Sequence, residues 1–378
     1  MLEPKRILIL TCSHGSGHKM VANTLKENFE SQGHIVSVRD LFNETNPVLN
    51  RVIEKSYLLS YSIGSSFYKQ IYYDCEKKAN TKLIYNLWHF TDRALMKMVN
   101  EFKPDCIINT YPYTISSIMK KKYYPDIKVF TVVTDFCIPK AWIHEDTDHY
   151  YVACQNVEDS LLCEGIPKHK ILKTGIPLRS AFYKRENRLE LMKKYHLDAR
   201  KKTLIIFAGT YGVLKNITEI CRRTDKMENL QTVVICGNNH SLKQDLLQEG
   251  FVNTKIFGFV ENIHEFYTVG DLMVTKPGGI TLSEVVAKKI PVILYNPTPG
   301  QEGENAQWFK RQGAAVVVQN ATELFLAIDA LKSNELKRFS MKNMLGKIDY
   351  GPATPLITSD ILMKLDADES VSYLTESI

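Results

Sequence analysis

Eight cysteines are scattered along the 378 residues, and no two of them stand in a Cys-x-x-Cys pair. Several lie inside apolar runs, as in Val233-Val234-Ile235-Cys236, where a reduced thiol behaves as a small hydrophobe. Neither a disulfide framework nor a zinc site is therefore expected. Long apolar runs are missing as well: no segment approaches the roughly 20 residues needed to span a bilayer. The apolar run at residues 6–10 is short and opens directly into a glycine loop, so it does not have the form of a signal peptide. No nucleic-acid-binding motif occurs, and nucleic acid is not an expected partner. These absences together point to a chain that stays in the cytoplasm.

What is present is the composition of a soluble globular protein, 44% hydrophobic and 24% charged, with enough length for two domains that each bury a core. The net charge of +6 is unevenly placed. Residues 1–200 carry 29 basic against 22 acidic side chains, and residues 201–378 carry 19 against 20. A basic half joined to a neutral one suggests that the first domain faces something acidic, although a solvated basic face would have the same composition.

Two series of short apolar runs alternate with helical patterns. In the first, strands are expected at residues 6–10, 35–38, 105–110, 128–133, 150–153 and 171–173; in the second, at 203–208, 232–236, 255–257, 272–275, 291–295 and 314–318. Strands apolar on both faces, each separated by a helix, define an α/β protein with parallel sheets. Nearly every strand of the second series runs into a glycine, so ligands are expected at the carboxyl ends of the strands and in a cleft between the two domains. The expected domains are 1–178 and 201–358. Residues 179–200 form a charged connection, and the tail 359–378 is a helix that could pack back on the first domain.

Three stretches carry chemistry. In the first, Ser13-His14-Gly15-Ser16-Gly17-His18 opens a helix after the first strand. Met20 stands where a dinucleotide fingerprint needs its third glycine, so that reading fails, but an imidazole ordinarily titrates near neutrality, and His18 at the mouth of the helix suits a general base. A histidine that merely bonds its own loop would look the same. The second stretch, residues 47–98, interleaves aromatics, among them Tyr68, Tyr72 and Trp88, with eight basic residues. Such a mixture fits the headgroup region of an anionic bilayer, and also fits helices packed by their aromatic faces or a single-strand nucleic-acid platform.

The third stretch runs from residue 271 to residue 306 as strand, glycine turn, helix, strand, polar loop and helix. Two helix N-termini at one sheet edge favour an anion, and Gly278 and Gly279 let a diphosphate approach the backbone. The tetrapeptide Thr281-Leu282-Ser283-Glu284 is by itself a capping box, in which Glu284 would only satisfy the backbone of Thr281. The flanking glycines and the polar cluster Gln301, Glu302 and Asn305 turn the balance toward a nucleotide.

The motifs GSGHKMVA (15–22), TDF (134–136), TGIP (174–177), FAGTYG (207–212), ICGNN (235–239), KPGGITLSE (276–284) and NPTPGQEGEN (296–305) occur in this order. The ordered set resembles the processive diacylglycerol glycosyltransferases and the plant galactolipid synthases. These belong to the family 28 glycosyltransferases and are similar in turn to the peptidoglycan enzyme that adds N-acetylglucosamine to lipid I. The resemblance covers the chain apart from its last dozen or so residues. It implies a GT-B fold of two Rossmann-like domains, inverting transfer from a UDP-sugar to diacylglycerol or a glycosyldiacylglycerol, and peripheral attachment to the cytoplasmic face of the membrane.

Carried over by position, the resemblance implies that Lys276, Gly278, Gly279 and Thr281 line the diphosphate and that Glu284 accepts from the ribose hydroxyls. Gln301 and Glu302 would lie near the donor sugar or diphosphate, with Asn305 supporting their loop. Gly212, Gly237 and Phe259 would surround the nucleotide. The acceptor side would comprise Gly15, Gly17, Tyr68, Tyr72, Trp88 and Trp142, with His18 or Asp135 as the base. Relatives often carry a histidine four residues beyond the aspartate of TDF, where this chain has Pro139; His144 lies nearby. No Asp-x-Asp pair stands beside the nucleotide loops, and no metal or other cofactor is expected, the UDP-sugar being a substrate. Two other readings share these features: a same-fold transferase acting on a polyprenyl-linked or other lipid-sugar acceptor, and a UDP-sugar-binding regulator without catalysis.

Overall fold

The structure, a computed structural model, describes residues 3–12, 16–45, 91–208, 214 and 216–376. The chain divides into two compact units, Met1–Arg179 with Tyr350–Ile378, and Ser180–Asp349. All twelve strands expected from the apolar runs are present, and they form two six-stranded parallel sheets.

The first sheet contains β1 (Arg6–Thr11), β2 (Ile35–Asp40), β3 (Cys106–Asn109), β4 (Lys128–Val132), β5 (His149–Val152) and β6 (Ile171–Lys173), in the order β2-β1-β3-β4-β5-β6. The core lies on both of its faces, because Ile7, Leu8, Ile9 and Leu10 are all fully buried and a pleated strand sends neighbouring side chains to opposite sides. Helix α1 (Ser16–Ser31) follows β1. Among the described residues, two 3₁₀ turns and further helices lie in the other connections of this unit, and the chain leaves it after Arg179.

The charged stretch 179–200 is not a free connection. It folds as part of the second unit, where the helix Arg188–Lys194 is capped by the Asn187 side chain and buries Met192. Lys194 and Tyr195 both reach Glu265 Oε2 at 2.5 Å, and Arg188 donates to Asp271 Oδ2 at 2.9 Å. The low apolar content that suggested a linker instead reflects ion pairs to the helix and strand on which this segment rests.

The second sheet contains β7 (Lys202–Phe207), β8 (Leu230–Ile235), β9 (Thr254–Phe257), β10 (Leu272–Thr275), β11 (Val292–Tyr295) and β12 (Ala315–Val318). Its order, β12-β11-β10-β7-β8-β9, is that of a dinucleotide-binding Rossmann sheet. After Asp349 the chain returns to the first unit. The helix Ala353–Glu376 begins six residues before the expected tail and packs on α1. Its buried stripe Ala353, Ile357, Ile361 and Leu365 repeats every four residues, the spacing of one helix face. Thr358 Oγ1 bonds Asn28 on α1, and Tyr151 on β5 bonds Asp360.

Candidate active site

In an open α/β sheet the ligand crevice lies at the carboxyl ends of the strands where the winding reverses. The first sheet reverses between β1 and β3, because β2 lies on one side of β1 and every later strand on the other. The second reverses between β7 and β10. Strand order alone therefore marks two half-sites. One comprises the segments after β1, β3 and β4; the other comprises those after β7, β10 and β11.

At the first half-site, His18 lies in the opening turn of α1 and is half-buried. Its Nδ1 sits 2.8 Å from the carbonyl oxygen of Thr110, just beyond β3, and 2.9 Å from Oγ1 of Thr134, just beyond β4. Three strand ends thus meet on one imidazole. The Tyr111 ring stands edge-on to it at 5.1 Å and Trp142 lies tilted at 6.2 Å. Thr110 is held in turn, its N–H donating to Leu10 O at 3.0 Å and its hydroxyl reaching the carbonyls of Leu10 and His18.

Asp135 follows Thr134 directly and is buried at 6% exposure. The neighbouring Phe136 carbonyl accepts from Asn156 Nδ2 at 3.1 Å, which ties this segment down. Trp142 is buried at 4% exposure and lies beside His18. His144, the neighbour of the missing histidine, is engaged in its own turn. Its Nδ1 accepts from the Asp146 N–H at 3.2 Å, and burial is the main cause that lowers its pKa. Gly15, Tyr68, Tyr72 and Trp88 lie outside the described residues, and Gly17 occupies the second position of α1.

The second half-site is assembled from the loops after β10 and β11. Helix α2, here the span Gly279–Lys288, starts directly after Gly278, whose backbone is extended. A Cβ added at Gly278 would meet nothing within 4 Å, so the end of this helix opens onto free space. Helix α3, the span Gln301–Arg311, starts after Gly300, whose φ of 94° and ψ of −140° are open only to glycine. The two loops are tied together. Asn305 Nδ2 donates to the Pro277 carbonyl at 3.1 Å, and Lys276 Nζ donates to the Asn296 carbonyl and lies 3.7 Å from Glu302 Oε2. Glu302 also accepts from the Thr298 N–H at 2.9 Å.

The capping-box reading of Glu284 is not what the structure shows. Thr281 is the third residue of the helix rather than its cap, and the cap position is held by Gly278, which has no side chain to contribute. Glu284 is buried at 5% exposure and accepts a 2.6 Å hydrogen bond from the hydroxyl of Tyr267, on the helix Ile263–Val269. Burial, reinforced by the charge of Glu284, pushes the Tyr267 pKa well up, so the phenol keeps its proton and donates. Gly237 and Phe259 follow β8 and β9 at the same edge of the sheet, and Phe259 is 66% exposed. Gly212 follows β7 and lies outside the described residues.

Among the described residues one group could hold a metal, Glu186, His264 and Glu265. Its carboxylates already face cations: Lys288 Nζ is 3.2 Å from Glu186, and Lys194 Nζ is 2.5 Å from Glu265. The described cysteines are all free thiols, with no metal group among them.

Sequence reasoning did not single out Thr110, Thr134 or Tyr267 for a role. Thr110 and Thr134 stood at strand ends already marked as ligand edges. Tyr267 had no signal, because its partner is 17 residues away on another helix.

Two parallel Rossmann-like sheets, each with a half-site at its strand ends, define the GT-B fold. The fold is shared with MurG of Acinetobacter baumannii, at a TM-score of 0.61 and 16% identity over 96% of this chain and all of that one. Anabaena HepE in complex with UDP and glucose matches at a TM-score of 0.54 and 12% identity over 96% of this chain and 99% of that one. Residues 18–178 match the monogalactosyldiacylglycerol synthase family, and residues 203–350 match the C-terminal domain of glycosyltransferase family 28. A processive diacylglycerol β-glucosyltransferase of Bacillus cereus is 43% identical over 352 residues, 92% of this chain and 91% of that protein. The chain belongs to this family of diacylglycerol glycosyltransferases.

Proposed function

We propose that the protein moves a hexosyl group, glucose in our reading, from its UDP conjugate to the hydroxyl of diacylglycerol or of a glycosyldiacylglycerol, with inversion at the anomeric carbon. Supporting this reading are the family itself, whose Bacillus relative is named a processive diacylglycerol β-glucosyltransferase, and the chemistry of the two half-sites. The carrying observation is the helix pair that opens at Gly278 and Gly300, its loops bound together by Asn305 and Lys276. Orphan N–H groups at such ends favour a diphosphate and the charge that grows on it as UDP leaves.

His18 takes the proton of the acceptor hydroxyl. The acceptor oxygen then bonds the anomeric carbon, and the bond from that carbon to the β-phosphate oxygen breaks with its electron pair going to UDP. A positioned base of this kind is worth roughly 10²–10⁴ in rate. Asp135 orients the acceptor or serves as the base in its place, and Glu284 accepts from the ribose hydroxyls. No metal is needed, because helix N-termini carry out the stabilisation. The enzyme works from the cytoplasmic face of the membrane. No described helix is long and apolar enough to cross a bilayer, and contact with anionic lipid is assigned to the stretch 47–98 on its basic and aromatic composition, most of it lying outside the described residues.

Liposomes containing diacylglycerol and anionic phospholipid, incubated with the protein and each UDP-sugar in turn, test the proposal by the mass of the lipid products. The expected product is diacylglycerol heavier by one hexose, formed fastest from UDP-glucose. A product that appears only with a polyprenyl-linked acceptor would overturn the acceptor assignment.

A further inference from the structure

The hydrogen bonds at His18 decide which ring nitrogen can act. A carbonyl oxygen only accepts, so the 2.8 Å contact between Nδ1 and the Thr110 carbonyl requires a hydrogen on Nδ1. The neutral ring therefore carries its lone pair on Nε2. Thr134 Oγ1, 2.9 Å from the same Nδ1, must then accept a share of that hydrogen, because Nδ1 has no lone pair left to receive the hydroxyl's own. When Nε2 gains a proton the ring becomes a cation, and Nδ1–H becomes the stronger donor toward both oxygens. Thr110 and Thr134 are 0% and 3% exposed, so little water competes for these bonds.

We infer that Thr134 is a positioning residue of the transfer reaction. With the Thr110 carbonyl, its hydroxyl forms a neutral acceptor pair that holds His18 with Nε2 as the base atom and steadies the imidazolium formed at proton abstraction. The pair does for the imidazolium what a buried carboxylate does behind the histidine of a catalytic triad, through two uncharged oxygens. The three groups come from the ends of β1, β3 and β4, so the ring is located by the sheet itself rather than by one mobile loop. The inference rests on the reading of His18 as the base.

The test compares Thr134→Val, which keeps the shape and removes the acceptor, with Thr134→Ser, which keeps the hydroxyl. In the liposome assay with UDP-glucose, Thr134→Val is expected to lower kcat roughly ten-fold, the scale of one charge-assisted hydrogen bond. The KM for UDP-glucose should stay within about two-fold, since the nucleotide half-site is untouched, and Thr134→Ser should recover most of kcat. In protein labelled with ¹⁵N-histidine, the His18 ring in its neutral form should show a protonated Nδ1 and a bare Nε2. Wild-type kcat in Thr134→Val, a Thr134→Ser variant as slow as Thr134→Val, or a neutral wild-type ring with its hydrogen on Nε2 and a bare Nδ1 would each overturn the inference. His18→Ala separates the two levels of the argument. If that variant turns over normally, it is the assignment of His18 as base that fails.

Discussion

The phenol of Tyr267 donates a 2.6 Å hydrogen bond to Oε2 of Glu284 across two packed helices, and both groups are buried. The Tyr267 ring is itself fixed edge-on between Phe182 at 5.6 Å and Phe207 at 5.2 Å. A carboxylate held in this way presents a set direction to whatever it meets at the sheet edge. Tyr267→Phe keeps the ring and removes the donor, so UDP affinity measured by calorimetry is expected to fall roughly ten-fold, the scale of one hydrogen bond to a charged group. Glu284→Gln should fall further. If both variants bind UDP as the wild type does while losing stability, the pair is structural only.

Acid should weaken the first unit through the joint between its sheet and the C-terminal helix. His149 on β5 is buried, and burial, with Lys364 adding to it and Asp360 opposing, lowers its pKa from 6.5 to about 4. The unfolded histidine keeps the ordinary value and so binds the extra proton first. Stability is therefore complete above pH 6.5 and declines as pH falls through the window down to about 4. His34 and His144, both lowered chiefly by burial, add in the same direction. The urea midpoint should drop between pH 7 and pH 5, and the drop should be smaller in His149→Gln. An equal drop in the two proteins would contradict this account.

Transfer should survive removal of divalent metal. The proposed stabilisers of the leaving diphosphate are backbone N–H groups at two helix ends, which no chelator removes. Equal product formation with and without excess EDTA is the expected result. Activity lost with EDTA and restored by Mg²⁺ or Mn²⁺ would refute it.

The twelve strands were legible because most are apolar on both faces and bounded by polar or glycine residues, while the edge strands β2 and β9 still carry short apolar runs between polar residues, a pattern local to each stretch. The two glycine-led helix starts were legible for the same reason, since Gly278 and Gly300 each stand next to the helix they introduce. Where the argument depended on partners far apart in the chain, local pattern was not enough. Thr281-Leu282-Ser283-Glu284 has the residues of a capping box, yet the helix begins two residues before Thr281, so the box has no cap to form. The charged stretch 179–200 lacks an apolar face because its helix is held by Asp271 and Glu265, far downstream.

The sequence by itself determined the fold class, the order of strands and helices, and the residue types at each strand end. Those depend on periodicity and on glycine and proline placement, which act over a few residues. Tertiary structure decided which strand ends are neighbours, and with that the two crevices, the meeting of His18 with Thr110 and Thr134, and the burial of Glu284 against Tyr267. The physical reason is the range of the forces involved. A hydrogen bond is specified only once packing has brought its two groups within about 3 Å, and that requires the order of strands in each sheet.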